Sequence, residues 1–156
     1  MDKKILVAID DSENAMRAVE FIANLFTTDN KITLFNVIQD TAALCEMNSP
    51  ELTPYFKSQQ SSFCTLEEKK QKLVNQALQK AREILMDTGF EENSITIKSE
   101  IKKNGVARDI VKEAQSGYNV IVLGRRGVSG IKDFILGSIS QKVFNSAKDI
   151  SVLFVN

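Results

Sequence analysis

The chain has 156 residues, 43% hydrophobic and 26% charged, enough to bury a real core as one domain over residues 1–156 and too apolar for wholesale disorder. Its 20 basic and 20 acidic side chains cancel, which argues against a nucleic-acid binder. It has no histidine, which excludes Ser-His-Asp triads, histidine-paired cysteine nucleophiles and HExxH zinc sites within this chain.

Short apolar runs alternate with helical patterns along the chain. Ile5 to Ile9 is a continuous apolar run of strand length, the mark of a strand covered on both faces. Asp10-Asp11-Ser12 supplies turn and N-cap chemistry. Asp11 or Ser12 is the natural cap, which leaves Asp10 freer for a ligand. Ala15, Val19, Ile22, Ala23 and Phe26 then recur on one helix face. Ile32 to Ile38 is a second strand. Residues 39–65 hold both prolines and both cysteines and form an excursion with a helical turn or two. Thr65-Leu66-Glu67-Glu68 reads as a capping box opening a helix, with Leu73, Val74, Ala77, Leu78, Ala81, Ile84 and Leu85 as its buried stripe and Gly89 at its close.

Ile95, Ile97 and Ile101 alternate with Thr96, Lys98 and Glu100, as in a strand with one wet side or at a sheet edge. Gly105 starts a turn into a helix marked by Ala107, Ile110, Val111 and Ala114. Asn119 to Leu123 is another buried strand. A glycine-rich loop leads to a helix from about Ser138, with Ile139, Val143, Phe144 and Ala147, and Ser151 to Val155 is the last strand. This β-α-β-α-β-α-β-α-β order predicts an α/β fold with a mostly parallel sheet and helices on both faces. Ligands then bind past the carboxyl ends of the strands, where the strand order reverses.

Cys45 and Cys64 form no CxxC motif and no ligand cluster. They could pair, but a chain this size needs no staple, and two reduced thiols in a cytoplasmic protein is the expectation. No apolar run approaches the ~20 residues of a membrane span, and the first residues lack a signal-peptide pattern. Charge is uneven, at −4 over residues 1–60, −1 over 61–97 and +5 over 98–156. The basic segment contains the one loop suited to phosphate. Four of the seven glycines fall between Gly124 and Gly137. Glycine lets backbone approach a ligand, and Gly137-Ser138 sits where a helix begins, with free N–H groups and the positive dipole end. Ser138 and Ser140 add hydroxyls; Arg125, Arg126 and Lys132 add charge. Against this, Ser138-x-x-Gln141 is also a capping box, so Ser138 serves equally as a plain helix cap. The Walker A and GxGxxG patterns are absent, and Gly127-Val128-Ser129-Gly130 is one residue short of GxSxG.

The spacing Gly124-x2-Gly127-x9-Gly137-Ser138 resembles the nucleotide-binding pattern G-x2-G-x9-G-[ST] of the universal stress protein family. Ile5-Leu6-Val7-Ala8-Ile9-Asp10-Asp11-Ser12, Phe35-Asn36-Val37, Asn104-Gly105 and Val120 to Gly124 resemble the family's first strand and turn, second strand end, third turn and lead into the motif. The resemblance spans the chain outside residues 39–65, a variable excursion in this family. It implies a five-stranded parallel, Rossmann-like sheet of order 3-2-1-4-5 with an ATP-binding cleft. Carried over by position, Ala8, Asp10 and Val37 border adenine and ribose, and Leu123, Gly124, Gly127, Gly137, Ser138, Ile139 and Ser140 border the phosphates. It further implies a stress-response role and ATP as the ligand, with ADP or AMP as alternatives and Mg²⁺ or Mn²⁺ as companion ion; the metal-binding residues stay unknown. In that strand order Val152-Leu153-Phe154-Val155 forms an apolar edge, which predicts a homodimer through residues 151–155.

No residue stands out as a general base, so little or no turnover is expected and no catalytic residue is assigned. Two alternatives stand beside the binding reading: a slow ATPase or nucleotidyl-transfer enzyme, and a nucleotide-gated interaction module using residues 39–65. Neither a nucleic acid nor a membrane is an expected partner.

Overall fold

The computed structural model describes residues 2–10, 12–48, 51, 53–125 and 137–156. Strand β1 (Lys4–Ala8) leads to helix α1 (Glu13–Leu25), then strand β2 (Lys31–Ile38), a single turn of helix α2 (Ala42–Cys45) and the long helix α3 (Pro54–Asp87). Strand β3 (Ile95–Ile101), helix α4 (Val106–Ala114), strand β4 (Val120–Gly124), helix α5 (Ser138–Ser146) and strand β5 (Ser151–Val155) complete the chain. All pairings are parallel and the order is β3-β2-β1-β4-β5, the order expected. The bounds of β1 shift by one residue from the apolar run. Ile9 still extends the ladder, its N–H donating to the Phe35 carbonyl at 2.8 Å.

The period of two along each strand divides the core between the two sheet faces. Ile5 and Val7 of β1, Ile32 and Leu34 of β2 and Val122 of β4 pack beneath α1 and α3. Leu6, Phe35, Ile121 and Leu123 pack on the opposite face against Ala107, Ile110 and Val111 of α4 and Val143 of α5. β1 and β4, the inner strands richest in apolar residues, are covered on both faces, as their unbroken runs predict. β3 lies at the edge, and its alternation follows from that position: Ile95 is buried while Ile101 is 54% exposed. On its polar side, Lys98 Nζ donates to both Glu113 carboxylate oxygens of α4, at 2.9 and 2.8 Å. Tyr118 Oη donates to Glu113 Oε1 at 3.2 Å and lies 3.1 Å from Thr33 Oγ1. The hydrogen bond to Glu113 raises the Lys98 pKa, and burial raises that of Tyr118. These groups clamp α4 to the sheet, away from the strand ends that carry the cleft.

Residues 39–65 depart from expectation. Thr65 opens no helix: α3 already runs through it, and the Thr65 hydroxyl donates back to the Ser61 carbonyl at 2.8 Å. The helix starts a full eleven residues earlier, at Pro54, where the Thr53 side chain accepts from Phe56 N–H and proline occupies the first turn. Cap chemistry recurs in polar sequence, and only the first occurrence is used. The buried stripe is Val74, Leu78, Ala81 and Leu85; Leu73 is 54% exposed. The half of α3 before Val74 buries no residue against the sheet.

The expectation of two reduced thiols is also overturned. α2 folds back onto α3, which brings the Cα atoms of Cys45 and Cys64 to 5.9 Å, and the two form a disulfide. Gln60 reinforces this attachment, its Nε2 donating to the carbonyls of Leu44 and Met47. The link joins residues 19 apart, and their proximity depends on the chain reversal between the two helices. Opening it with a dithiol should therefore speed amide exchange in residues 42–66 and leave β1, β2, β4 and the second half of α3 protected. Unchanged exchange in residues 42–66, measured by mass spectrometry, would show that the disulfide does not hold this segment.

Candidate functional site

The carboxyl ends of β1, β2 and β4 open into a cleft, at the point where connections leave β1 toward opposite sides of the sheet. Its floor is apolar, from Ala8 at the end of β1 and Ile9 just after it, Phe35 and Val37 of β2 and Leu123 of β4. Val106 and Ile110 of α4 and Ile139 of α5 close one side, and Val74 of α3 with Ala15 of α1 the other. Polar groups are few: Asp10, Ser12, Asn36, Gln39, Ser140, and Glu67, Lys70 and Gln71 along α3. An apolar cleft with a small set of polar groups is the usual make-up of a small-molecule site.

Of the residues singled out in the sequence, Ala8, Asp10, Val37, Leu123, Gly124, Ile139 and Ser140 converge on this cleft. Gly137 and Ser138 stand at the start of α5 just beyond its lining, and Gly127 lies outside the described residues, as do Arg126 and Lys132. Arg125 turns away, its guanidinium donating to Asn156 Oδ1 at 3.3 Å. Among the described residues the cation that lines the cleft is Lys70. It went unrecognised because α3 enters the cleft wall only through tertiary packing, and nothing local in its sequence marks a lysine as facing inward.

Three local arrangements shape the site. First, Ser12 caps α1, its Oγ accepting from Ala15 N–H at 3.4 Å. Asp10 is not left free by this: its Oδ1 accepts from the Ser12 N–H at 2.8 Å and from the Ser12 hydroxyl. The carboxylate thus braces the turn that brings α1 over the cleft. Second, the capping box at Ser138 does not form. Gly137 is the N-cap and has no side chain to cap with, so among the described residues no side chain takes up the first N–H groups of α5. Ser140 is buried, and its hydroxyl donates to the Gly124 carbonyl at 3.5 Å, tying α5 to the end of β4. Third, Asp109 is buried at the start of α4 and accepts from the N–H groups of Lys103 at 2.8 Å and Asn104 at 3.1 Å. Together with Gly105, whose φ of 120° favours glycine, it sets the turn that places Val106 in the wall. Sequence reading found Gly105 but missed Asp109, whose side chain reaches backward rather than to a cap position.

Gly124 has a packing role as well as its place in the lining. A Cβ there would come within 2.3 Å of the Asn14 carbonyl oxygen. The backbone of α1 crosses β4 so closely that no side chain fits. Among the described residues no group of three or more histidines, cysteines or carboxylates could hold a metal ion, and no helix is long and apolar enough to cross a membrane.

These features define a doubly wound α/β protein with its cleft at the reversal of strand order. The chain belongs to the universal stress protein family, whose model matches residues 1–156. It is 29% identical over 145 residues to universal stress protein YxiE of Bacillus subtilis, covering 92% of each chain. It is 28% identical over 144 residues to a universal stress protein of Mycolicibacterium smegmatis, covering 92% of this chain but 45% of that longer relative. Among solved structures, the hypothetical protein MJ0577 superposes with a TM-score of 0.69 at 23% identity, over 99% of this chain and 96% of that one. UspA of Lactobacillus plantarum follows at 0.67 and 21%, over 99% and 97%. A universal stress protein in complex with cAMP gives 0.59 and 18%, over 99% and 97%. At these identities the likeness to the solved structures is one of fold.

The close approach at Gly124 gives a direct test of the architecture. Gly124→Ala forces α1 away from β4 and should cost about 1–3 kcal/mol of stability. Urea unfolding with an unchanged midpoint would show that α1 does not cross β4 at this distance.

Proposed function

We propose that the chain is an ATP-binding universal stress protein with a regulatory or stress-response role. The observation that carries this reading is the cleft itself: apolar walls at the switch point of a parallel sheet, with the start of α5 at its rim and, among the described residues, no side-chain cap there. Helix N-termini attract phosphate through unpaired N–H groups and the helix dipole. The spacing of Gly124, Gly127, Gly137 and Ser138 supports the same reading, as does the complex of one protein of this fold with an adenine nucleotide, cAMP.

In this reading Ala8, Asp10 and Val37 border the base and ribose. Leu123, Gly124, Gly127, Gly137, Ser138, Ile139 and Ser140 border the phosphates. Lys70 adds a positive charge on the α3 side of the same cleft. A divalent ion, Mg²⁺ or Mn²⁺, would arrive with the phosphates, since magnesium is commonly held by substrate oxygens and one or two carboxylates rather than by a protein cage.

Gly137 tests this reading. Its φ of −56° and ψ of 157° are open to any residue, so a substitution there brings no backbone strain. Gly137→Val should abolish ATP binding by calorimetry, with a parent-like circular dichroism spectrum as the sign that the variant folds. Undiminished affinity would exclude the α5 terminus as the phosphate site.

We also propose a homodimer through β5. This strand pairs only with β4 among the described residues, which leaves its other edge open. Val152, Leu153 and Phe154 are half-buried, and Phe144, expected on the inner face of α5, is instead 60% exposed and lies against Phe154 with ring centroids 6.2 Å apart. An apolar open edge flanked by an exposed aromatic favours pairing with a second copy. Light scattering at micromolar concentration should give twice the chain mass; a monomer would refute the dimer.

A further inference from the structure

The excursion between β2 and the core part of α3 begins and ends at the cleft. Gln39, just past β2, lines it, and so do Glu67, Lys70 and Gln71 of α3. Between these points the described residues have no core of their own. α2 buries no residue, and neither does α3 before Val74. Ser58, Ser61, Ser62 and Thr65 are weak helix formers, so this half of α3 depends on what it is attached to. Its attachment is the Cys45–Cys64 disulfide, with the two hydrogen bonds from Gln60 beside it. A chain of this size needs no staple to fold. The disulfide therefore fixes the cleft wall rather than the core. Glu67 and Gln71 stand three and seven residues after Cys64, on the same helix face. The whole span is about 11 Å of helix rise.

Resting on the reading of the cleft as an ATP site, we infer that Cys45–Cys64 is a thiol-exchange site whose redox state sets the affinity of the cleft for nucleotide. Both cysteines are half-buried, within reach of a small dithiol. A thiolate of the dithiol attacks one sulfur, the S–S bond breaks and a mixed disulfide forms; the second thiol of the reagent then resolves it. The chain gains two electrons and two protons as two thiols, and the dithiol leaves as a disulfide. Once opened, the arm loses its covalent tie to α2. The segment carrying Glu67, Lys70 and Gln71 must then be ordered when a ligand binds. Ordering weakens binding, and the closed form is already ordered. An anionic ligand feels the difference through Lys70, whose charge is held at the wall only while the helix is. The effect is reciprocal: bound nucleotide favours the disulfide by the factor by which the disulfide favours nucleotide.

The test measures both sides of this cycle on the whole chain. Calorimetry compares ATP binding by the oxidised chain with binding after reduction by dithiothreitol. The oxidised form should bind about fivefold more tightly. Cys45→Ser and Cys64→Ser should each bind as the reduced parent does, with or without the dithiol. Lys70→Met should narrow the difference between oxidised and reduced forms. Saturating ATP should shift the dithiol equilibrium toward the disulfide by the same factor, read by thiol alkylation and mass spectrometry; this measurement uses the parent alone and holds if the serine variants fold poorly. Equal affinity in the two redox states, tighter binding by the reduced form, or serine variants that still respond to the dithiol would overturn the switch and leave the nucleotide site standing. A parent that binds no ATP in either state would overturn both.

Discussion

The parallel pairing of β1 between β2 and β4 is the constraint on which the rest depends. β1 is the central strand of the five, with neighbours on both edges and a core on both faces, Ile5 and Val7 to one side and Leu6 to the other. A strand so enclosed must be apolar throughout, and its polar flanks must fall at its ends. The chain leaves β1 toward β2 through α1 and later returns to its other edge as β4. At the carboxyl end these two directions diverge, and among the described residues the gap between them stays open. The cleft is therefore a consequence of strand order rather than a separate construction, and the carboxylate of Asp10 stands in it because it is the first polar side chain after the buried run.

Close approach at the same end supplies the site's rigidity. α1 crosses β4 with Asn14 backbone where a Gly124 side chain would be. Asp10 holds Ser12, Ser12 holds the first turn of α1, and Ser140 ties the start of α5 to the Gly124 carbonyl. The residues of the proposed phosphate path thus hang on one backbone crossing. A glycine there is required by packing, independently of any ligand.

The long helix adds what the sheet lacks. Its second half is an ordinary core helix through Val74, Leu78, Ala81 and Leu85. One turn earlier, Glu67, Lys70 and Gln71 give the cleft its charged wall, and earlier still the helix leaves the sheet and is tied to α2 by Cys45–Cys64. The same element changes from core to site wall to projecting arm as its distance from the strand ends grows. Burial falls along the helix although its sequence stays helical.

Much of this was legible before any coordinates. Unbroken apolar runs at Ile5 to Ile9 and Val120 to Leu123 marked strands covered on both faces, and the alternation at Ile95 to Ile101 marked an edge, because burial acts on each residue locally and leaves a period in the chain. The glycines near Gly124 and the polar turn at Asp10 to Ser12 pointed to the carboxyl ends of the strands, where the cleft opens, because chain reversals leave polar and glycine residues in the sequence. What sequence alone could not determine were relations between distant residues. Lys70 in the cleft wall, the Cys45–Cys64 link and the exposed side of Phe144 each depend on which surfaces meet. Cap chemistry at Thr65 misled for a related reason: a cap residue states only that a helix could begin there, while the packing of α3 decided where it did. The sequence by itself determined the elements and their order, since these follow from local periodicity. Only the tertiary structure decided which polar groups face inward, since that follows from contacts between segments far apart in the chain.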